Sequence, residues 1–449
     1  MSGSIVQAVA RIKRNVAEIL SAASIVQACR DVCHTWRERE LGPAKTVWAF
    51  LLQVLHGNVA CSHVVRLAKL GCSGEAYCKA RARLPLAALQ RLLEQTTHAA
   101  RCCFRQPLWH GHRTFFADGT GFSMPDTDEL WNHFGQPGQQ RRGCGFPQAH
   151  LLAMFDAANG FLVKMLAAPL RTHDMSQASS LHPELSPGDV LVADRGLGSY
   201  VHLALILRQK LHAVFRAHQR QLVSFRQDRR LSGKQPRGTV ARRAASPLFH
   251  KLGRFDQVVD YFKPQQRPKW MDAAAYAALP DTIRVRELRY WTKTPGFRTR
   301  VITIVTTLVD GARYPTEEIA TLYRRRWEIE TNFAHLKTTM GMDVLRCESV
   351  AGVLKELTIF ALVYNLVRLV MVAASREQDL PVQRLSFVDA LRWLAEACEH
   401  EPIHAVRVNP ARPNRLEPRV LKRRPKEYTL MTAPRCQLRQ LLMAHRDAA

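Results

Sequence analysis

RTFFADGTGFSM (113–124) and DVLVADRG (189–196) are the two stretches that decide the fold. Both contain apolar runs that predict buried strands, and an aspartate closes each run, Asp118 in TFFAD and Asp194 in VLVAD. Ligands bind at the carboxyl ends of strands in open α/β sheets, so the two carboxylates predict a site there. Either aspartate could instead form a turn or cap a helix. Asp156, which closes LLAMFD, is fully explained by the hairpin turn predicted after it.

The sequence between and after these stretches predicts an α/β order. A β-hairpin is predicted over AHLLAMFDAANGFLVKMLAAPL (149–170), helices over SQASSLHPEL (176–185) and SYVHLALILRQKL (199–211), and a strand over HAVFRAH (212–218). Three strands, a helix, a strand, a helix and a strand are typical of an α/β domain.

Composition narrows the class of protein. The chain has 449 residues, and 47% of them are hydrophobic, which excludes a largely disordered chain and predicts about three domains. A total of 65 Lys and Arg against 38 Asp and Glu gives a formal charge of +27, so nucleic acid is the expected partner. Eleven scattered cysteines with no Cys-x-x-Cys pair argue against a zinc ribbon and favour a cytoplasmic protein with reduced thiols.

No membrane partner is expected. The most apolar stretch, Leu357 to Ser375, is interrupted by Asn365 and Arg368, whereas a membrane span needs about 20 consecutive apolar residues. It predicts a buried core helix. The first 20 residues carry basic residues within an apolar pattern, which predicts an amphipathic helix and not a signal peptide.

Changes in periodicity divide the chain into five segments. They are predicted as an α-helical N-terminal DNA-binding domain (1–108), the first part of the core (109–216), a basic β-rich insertion (217–313), the second part of the core (314–400) and a basic C-terminal tail (401–449). From Arg208 to Arg254, across the start of the insertion, there are 13 Lys or Arg residues against one acid, Asp228.

Basic residues of the N-terminal segment offer one route to DNA. They lie in and beside a predicted helix that would suit a helix-turn-helix on DNA: Lys79, Arg81, Arg83 and Arg91. A solvated basic face on a plain helical bundle is the alternative.

A third carboxylate comes from the helix predicted over Leu322 to Met340. Its apolar arc predicts a core-facing side and consists of Leu322, Ile329, Phe333, Leu336 and Met340. A second arc, about 80° away at 3.6 residues per turn, consists of Tyr323, Arg326, Glu330 and Lys337.

The second arc suits phosphate chemistry better than a salt-bridge face, because one i,i+4 ion pair adds only about 0.3 to 0.5 kcal/mol. Glu330 could complete a site for hard cations such as Mg²⁺ with the two aspartates. Arg326 and Lys337 could neutralise phosphate oxygens, and the Tyr323 hydroxyl could donate a hydrogen bond. An ordinary amphipathic helix with a few charges is the alternative.

Together these features resemble the DDE transposases of bacterial insertion sequences. Asp118 in ADGT, Asp194 in VADRG and the Tyr-Arg-Glu-Lys spacing are similar to the subgroup named for insertion sequence four, over about residues 60 to 430. The resemblance implies a ribonuclease-H-like catalytic core interrupted by the β-rich insertion, with a helical N-terminal domain and a helical, basic C-terminal region. Asp118, Asp194 and Glu330 would then be catalytic ligands of two Mg²⁺ or Mn²⁺ ions, with Asp118 shared by both.

The resemblance also implies a reaction and its partners. The protein would bind the terminal inverted repeats of its element, cleave at their ends and join the freed 3′ ends to target DNA. It would act as a homodimer in the paired-end complex, in the bacterial cytoplasm at the nucleoid. Tyr323, Arg326 and Lys337 would contact DNA, and Trp327, or Trp291 in the insertion, would stack on a flipped base during hairpin formation unless these indoles are simply packed.

Two other functions are compatible with the residues. A ribonuclease-H-like nuclease of repair or junction resolution could use the same acids, although the basic insertion and the four-residue signature argue against it. A domesticated DNA-binding protein with a dead site is the other alternative, and the presence of all three acids argues against that one. Inverted repeats flanking the gene would favour the transposase over the nuclease.

Overall fold

A mixed sheet of nine described strands lies at the centre of the fold. The structure is a computed structural model that describes all residues except 1–2, 13, 38, 105–106, 139–140, 142, 173, 220, 227–245, 293–300, 397–401, 411–430, 432 and 448–449. The strands are β1 (Thr114–Ser123), β2 (Gln148–Asp156), β3 (Leu162–Pro169), β4 (Val190–Ala193), β5 (His212–Arg216), β6 (Leu248–Gly253), β7 (Asp256–Phe262), β8 (Thr282–Trp291) and β9 (Val301–Thr306).

Helices cover the sheet and form the N-terminal part of the chain. In the described ranges they are α1 (Gly3–Ile12), α2 (Arg14–Ile19), α3 (Ala22–Asp31), α4 (Pro43–Leu55), α5 (Cys61–Leu67), α6 (Gly74–Arg83), α7 (Leu86–Cys102), α8 (Asp128–Phe134), α9 (Asp174–Gln177), α10 (Tyr200–Arg208), α11 (Ala273–Ala277), α12 (Thr316–Arg325), α13 (Glu328–Ala334), α14 (Val350–Glu377), α15 (Phe387–Glu396) and α16 (Arg435–Asp447). The predicted mixed α/β class is confirmed.

The strands follow the order β3-β2-β1-β4-β5-β9-β8-β7-β6. β1, β4 and β5 are parallel to one another, and every other neighbouring pair is antiparallel. The predicted hairpin forms β2 and β3. Because β9 pairs with β5, the described strands of the basic insertion continue the same sheet.

Successive residues of the parallel strands point to opposite faces of the sheet. Phe115 and Leu191 pack on the face that α10 covers, whereas Phe116 and Val192 pack on the face that α13, α14 and the N-terminal helices cover. A residue two positions beyond Phe116 or Val192 therefore projects toward α13. This geometry decides where the predicted site lies.

The long apolar helix α14 is a core helix, as predicted. It is long and apolar enough to cross a membrane, yet it lies almost wholly inside the protein. Its polar residues are bonded there: the Asn365 side chain accepts from Leu162 N at 2.8 Å, and Arg368 Nε donates to Asn159 O at 2.9 Å. These bonds fix α14 against the β2–β3 hairpin.

The N-terminal helices include a helix-turn-helix order, α5 followed by α6. Ser73 caps α6, because its Oγ accepts from Ala76 N at 3.1 Å. The start of α6 lies so close to α5 that a Cβ on Gly74 would be 2.8 Å from Ser62 N. Only glycine allows this approach without a shift of the backbone.

Several elements differ from the sequence expectations. The segment predicted as a helix over 176–185 is mainly a 3₁₀ helix, Ala178–Glu184, because Pro183 inside it cannot donate a helical hydrogen bond. Sequence patterns did not predict β6, α8 or α11. The tail, which shows little periodicity, contains α16, and Arg435 Nη1 lies 3.3 Å from Asp126 Oδ2. Local periodicity cannot predict an ion pair between residues so far apart in sequence.

Candidate active site

Asp118 and Asp194 lie side by side on adjacent parallel strands. Ala117 of β1 is the register partner of Ala193 at the end of β4, so the two aspartates are the next residues along each chain. They also lie two residues beyond Phe116 and Val192, and they therefore project from the face that α13 covers.

The position of Asp118 corrects one expectation. The sequence predicted a strand ending at Asp118, but β1 continues to Ser123, because β2 remains paired with it as far as Gln148. Only the parallel pairing ends here, since β4 stops at Ala193. Asp118 thus lies inside a strand but at the point where its parallel neighbour departs.

The predicted helix over 322–340 is not continuous. α12 ends at Arg325 and α13 begins at Glu328, and i→i+3 hydrogen bonds tighten the chain between them. A π-helical turn, His335–Thr339, then widens it. Neither departure moves the apolar stripe out of the core, since its residues remain buried: Leu322, Ile329, Phe333, Leu336 and Met340. The predicted stripe is therefore confirmed, while the regular helical geometry is wrong.

Arg326, in the tight turn between α12 and α13, gathers the predicted acids. Its Nη1 donates to Asp118 Oδ2 at 2.7 Å, and its Nη2 lies 3.9 Å from Glu330 Oε1. The Tyr323 hydroxyl makes a longer hydrogen bond, 3.4 Å, to Asp194 Oδ1. The structure thus brings together the three acids, the arginine and the tyrosine that the sequence predicted.

Burial and charge act against each other in this cluster. Burial raises the pKa of the Asp118 carboxyl above its ordinary value, although Arg326 and a hydrogen bond from Gly119 N oppose the rise. Burial alone would lower the pKa of Arg326, but Tyr323, the two aspartates and Glu330 together raise it. The Arg326 guanidinium therefore stays charged. Burial also raises the pKa of Tyr323, so its hydroxyl remains a hydrogen-bond donor.

Lys337 approaches the same strand from the π-helical turn. Its Nζ donates to Gly121 O at 2.7 Å and lies 3.3 Å from Thr120 Oγ1. Both partners follow Asp118 on β1, so the ammonium group lies farther along this strand than the acidic cluster. Arg326 and Lys337 thus bond to β1 and Tyr323 bonds to Asp194 after β4, while Glu330 lies beside Arg326.

The two predicted stacking residues lie at different places. Trp327 is 40% exposed, and the Arg326 guanidinium carbon lies 5.8 Å from the centre of its ring. Trp291 is 47% exposed at the end of β8, with its ring edge-on to Phe255 at 4.5 Å. Both indoles have exposed surface, but only Trp327 adjoins the acidic cluster.

The donor set fits a hard divalent cation in its chemistry, because carboxylate oxygens are the ligands that Mg²⁺ and Mn²⁺ prefer. Asp118 keeps 29% of its side chain exposed and Glu330 keeps 50%, so solvent reaches both. Within the described ranges, however, no three acidic, His or Cys side chains converge closely enough to enclose an ion. The Arg326 guanidinium holds Asp118, and its buried Nε has no hydrogen-bond partner in the described chain.

Sequence reasoning missed a basic cleft of about 680 Å³ in the N-terminal part of the chain. The loop after α3 and the outer face of α6 form it, and its basic lining residues are Arg37, Arg39, Lys79 and Arg83. Two of the four residues proposed for DNA contact are engaged elsewhere: Arg81 is buried and donates to Gln53 Oε1 at 2.8 Å, and Arg91 pairs with Asp31 at 2.7 Å. Arg37 and Arg39 alternate with glutamates in the sequence, and Glu40 also lines the cleft, so the local sequence carried no basic signal there.

A mixed α/β fold with a group of carboxylates fits the class of metal-dependent enzymes that cleave and join DNA, and the family match shows that class. Residues 109–366, more than half of the chain, match the family described as the transposase DDE domain, and the chain belongs to that family. The protein is a DNA transposase, and members of this family generally depend on a divalent metal ion.

Relatives agree with this assignment. The chain is 25% identical over 430 residues to the transposase InsG of insertion sequence element IS4 from Escherichia coli. This match covers 89% of each of the two chains. It is 27% identical over 189 residues to the putative transposase InsZ of the same organism, across 39% of this chain and 60% of that one. The resemblance predicted from the sequence is therefore confirmed. A solved structure of the piggyBac transposase synaptic complex with hairpin DNA is similar with a TM-score of 0.45 and 10% identity, over 84% of this chain and 77% of that one.

Proposed function

We propose that this transposase binds the inverted repeats at the ends of its own insertion sequence, cleaves there and joins the freed 3′ ends to target DNA. The observation that carries the proposal is the gathering of Asp118, Asp194 and Glu330 around one buried guanidinium, beside Lys337. The strand order β3-β2-β1-β4-β5, with only the last three strands parallel, supports a ribonuclease-H-like core.

Asp118, Asp194 and Glu330 would hold two Mg²⁺ or Mn²⁺ ions in this site. Bound divalent ions activate the attacking oxygen and stabilise the leaving oxygen of a phosphodiester. In cleavage, water attacks phosphorus and the P–O3′ bond breaks, which leaves a 3′-hydroxyl on the element. In joining, that hydroxyl attacks the phosphorus of a target phosphodiester, the target's P–O3′ bond breaks, and a 3′-hydroxyl is left on the cut target strand. The protein's own part would be to orient the carboxylates: Arg326 and Gly119 N hold Asp118, and Tyr323 holds Asp194.

The cations of the second arc would hold the DNA beside the acids. Arg326 and Lys337 reach β1 from opposite ends of the segment that contains Glu330, so a phosphate near Asp118 could accept from both. Charge-assisted bonds of this kind position a phosphodiester without reading its bases. Tyr323 would add a hydrogen bond, and Trp327 is the better placed candidate for stacking on a flipped base because it adjoins Arg326.

The N-terminal segment (1–108) would recognise the element's ends. Its basic cleft supports this, because Arg37, Arg39 and Arg83 have no acidic partner within the described chain while Lys79 pairs with Glu75 at 2.6 Å. His34 and Trp36 add stacked aromatic rings to the lining, with centroids 5.8 Å apart. Backbone phosphates of a duplex are the natural ligands of such a surface.

The remaining assignments follow from charge and from the reaction. The core would comprise 109–216 and 314–400, and the basic insertion (217–313) and tail (401–449) would contact phosphates. Much of the charge of the insertion lies at 227–245, outside the described residues. Two element ends must be held together for joining, so a homodimer in the paired-end complex is expected. The enzyme would act on DNA in the bacterial cytoplasm, at the nucleoid.

A strand-transfer assay tests the function. A duplex that carries the element's own end, the purified protein and Mg²⁺ should give ends with a 3′-hydroxyl that become joined to a plasmid. A scrambled duplex of equal length is the control. Cleavage of the scrambled duplex at the same rate, with no joining, would support a ribonuclease-H-like nuclease instead. Binding without any cleavage would support a domesticated DNA-binding protein.

A further inference from the structure

Three aromatic rings in a row lie against the turn that follows Asp194. The rings of His182 and His202 meet edge to edge, nearly parallel and with centroids 5.0 Å apart, and His202 stacks on Phe215 at 5.4 Å. Both histidines are 1% exposed. Phe215 belongs to β5 and is the register neighbour of Ala193, which directly precedes Asp194. Neither histidine has a part in the proposed chemistry.

The hydrogen-bond partners fix where the protons of this pair lie. His202 Nδ1 is 2.8 Å from Leu197 O, and a carbonyl oxygen can only accept, so Nδ1 carries the proton. In neutral His202 the other nitrogen, Nε2, then accepts. It lies 2.8 Å from His182 Nε2, which must donate. His182 Nδ1 is left as a buried lone pair with no partner in the described chain.

Both histidines are neutral under ordinary conditions. Burial lowers the pKa of His182 to about 4, helped by Arg208, and burial and the charge of His182 lower the pKa of His202 to about 3. The pair thus forms a fixed chain of donors that ends on one backbone carbonyl, Leu197 O.

Leu197 belongs to the short turn that begins at Asp194. Asp194 precedes the 3₁₀ turn Arg195–Leu197 without a side-chain cap, and Leu197 N returns to Asp194 O at 3.2 Å. A Cβ on Gly198 would lie 3.2 Å from Arg216 O, so the turn presses closely on β5. A turn this short has few bonds of its own, and His202 supplies one from outside it.

We propose that the buried His182–His202 pair positions Asp194: it holds the carbonyl of Leu197, and with it the turn that directs the Asp194 carboxylate toward Tyr323 and Arg326. The inference rests on the proposed role of Asp194 as a metal ligand. Residues that orient a ligand from behind typically change metal affinity 10- to 100-fold when they are replaced. The pair is therefore a pair of positioning residues, not catalytic ones.

The test measures Mn²⁺ binding to the full-length protein by electron paramagnetic resonance, without DNA or turnover. His202→Phe keeps the ring stack but loses the donor to Leu197 O. His202→Asn keeps an amide donor at the position of Nδ1. We expect His202→Phe to weaken Mn²⁺ binding about 10-fold or more and His202→Asn to stay within roughly 3-fold of wild type.

A second pair of variants covers the case in which His202→Phe does not fold. His182→Phe keeps an aromatic ring and loses the Nε2 donor, whereas His182→Gln keeps an amide donor there, so the first should weaken binding and the second should not. The thermal unfolding midpoint of each variant is measured beside the affinity. Folded phenylalanine variants that bind Mn²⁺ like wild type, with only a lower midpoint, would overturn the positioning role.

Asp194→Ala separates this inference from the proposed function. If Asp194→Ala loses Mn²⁺ affinity and the phenylalanine variants keep it, only the positioning role is wrong. If Asp194→Ala itself binds like wild type, Asp194 is not a ligand, and the proposed site and the positioning role are both overturned.

Discussion

Arg326 Nη1 lies 2.7 Å from Asp118 Oδ2, while Gly119 N donates to the other oxygen, Oδ1, at 2.9 Å. Both oxygens of this carboxylate are therefore bonded, one of them to a buried cation. A divalent ion that takes Asp118 as a ligand must compete with the guanidinium. Arg326 is then expected to move between Asp118 and a DNA phosphate when the site is loaded.

This competition predicts that Arg326→Gln binds Mn²⁺ more tightly than wild type in the absence of DNA. Removal of a positive charge and release of Asp118 should together increase affinity roughly 10-fold, which is about 1.4 kcal/mol. Titration calorimetry with Mn²⁺ measures it. Arg325→Gln is the matched control, because Arg325 pairs with Glu328 at 2.8 Å and donates to Ala157 O. Equal or weaker Mn²⁺ binding by Arg326→Gln would show that the Arg326 guanidinium and the metal ion do not compete for Asp118.

Lys337 should act after the first cut. Its ammonium group lies at Gly121 O, beyond Asp118 along β1, so it is placed to hold the strand when it is distorted toward a hairpin. Lys337→Ala should leave first-strand nicking nearly intact and slow hairpin formation or reopening. A denaturing gel that follows nicked, hairpin and blunt-ended products over time measures it, with the exposed Lys269→Ala as control. Slowing of every step by the same factor would assign Lys337 to general DNA binding.

The basic cleft should govern the salt dependence of end binding. Replacement of Arg37, Arg39 and Arg83 by Gln together should flatten the slope of log affinity against log salt by up to about 0.9 for each DNA phosphate that is no longer neutralised. A control triple of exposed arginines outside the cleft consists of Arg171, Arg392 and Arg407. If both triples change the slope equally, the cleft is only part of a diffuse basic surface.

Acid should destabilise the fold through the buried histidine pair. The folded-state pKa values of His182 and His202 lie below the usual 6.5, so the unfolded chain binds more protons and stability falls as the pH drops from about 7 toward 4. Between pH 7 and pH 5, one such histidine lowers the free energy of unfolding by roughly 2 kcal/mol. Denaturant unfolding at both pH values should show a smaller acid loss for His182→Gln with His202→Asn than for wild type. The exposed His404→Gln is the control, and an equal loss in both variants would contradict the assignment.

Local patterns predicted much of the fold. An apolar run predicted the start of β1, and the apolar stretch of α14 predicted a core helix and not a membrane span because Asn365 and Arg368 interrupt it. The spacing of Tyr323, Arg326, Glu330 and Lys337 predicted that they would face one region. These successes share a cause, since each depends on which residues a single element must bury.

Relationships between distant elements were not predictable in this way. The register of Ala117 with Ala193, the ion pair of Arg326 with Asp118 and the chain from His182 to Leu197 each join residues that are far apart in sequence or depend on a neighbouring strand. The tight turn at 326–327 and the π turn could not be predicted from periodicity either. Together they leave the apolar stripe in the core, so the sequence has the pattern of a regular helix.

The central claim is that Asp118, Asp194 and Glu330 carry the cleavage of element ends. The most direct measurement is the nicking rate of an end duplex in Mg²⁺ for Asp118→Asn, Asp194→Asn and Glu330→Gln, with end-binding affinity measured in parallel. Asp260→Asn, at a partly exposed position on β7, is the control. Each of the three should lose nicking by at least about 1,000-fold and bind ends within a few-fold of wild type, and excess EDTA should abolish nicking by wild type. Near wild-type nicking by any one of the three, or nicking that survives EDTA, would contradict the account.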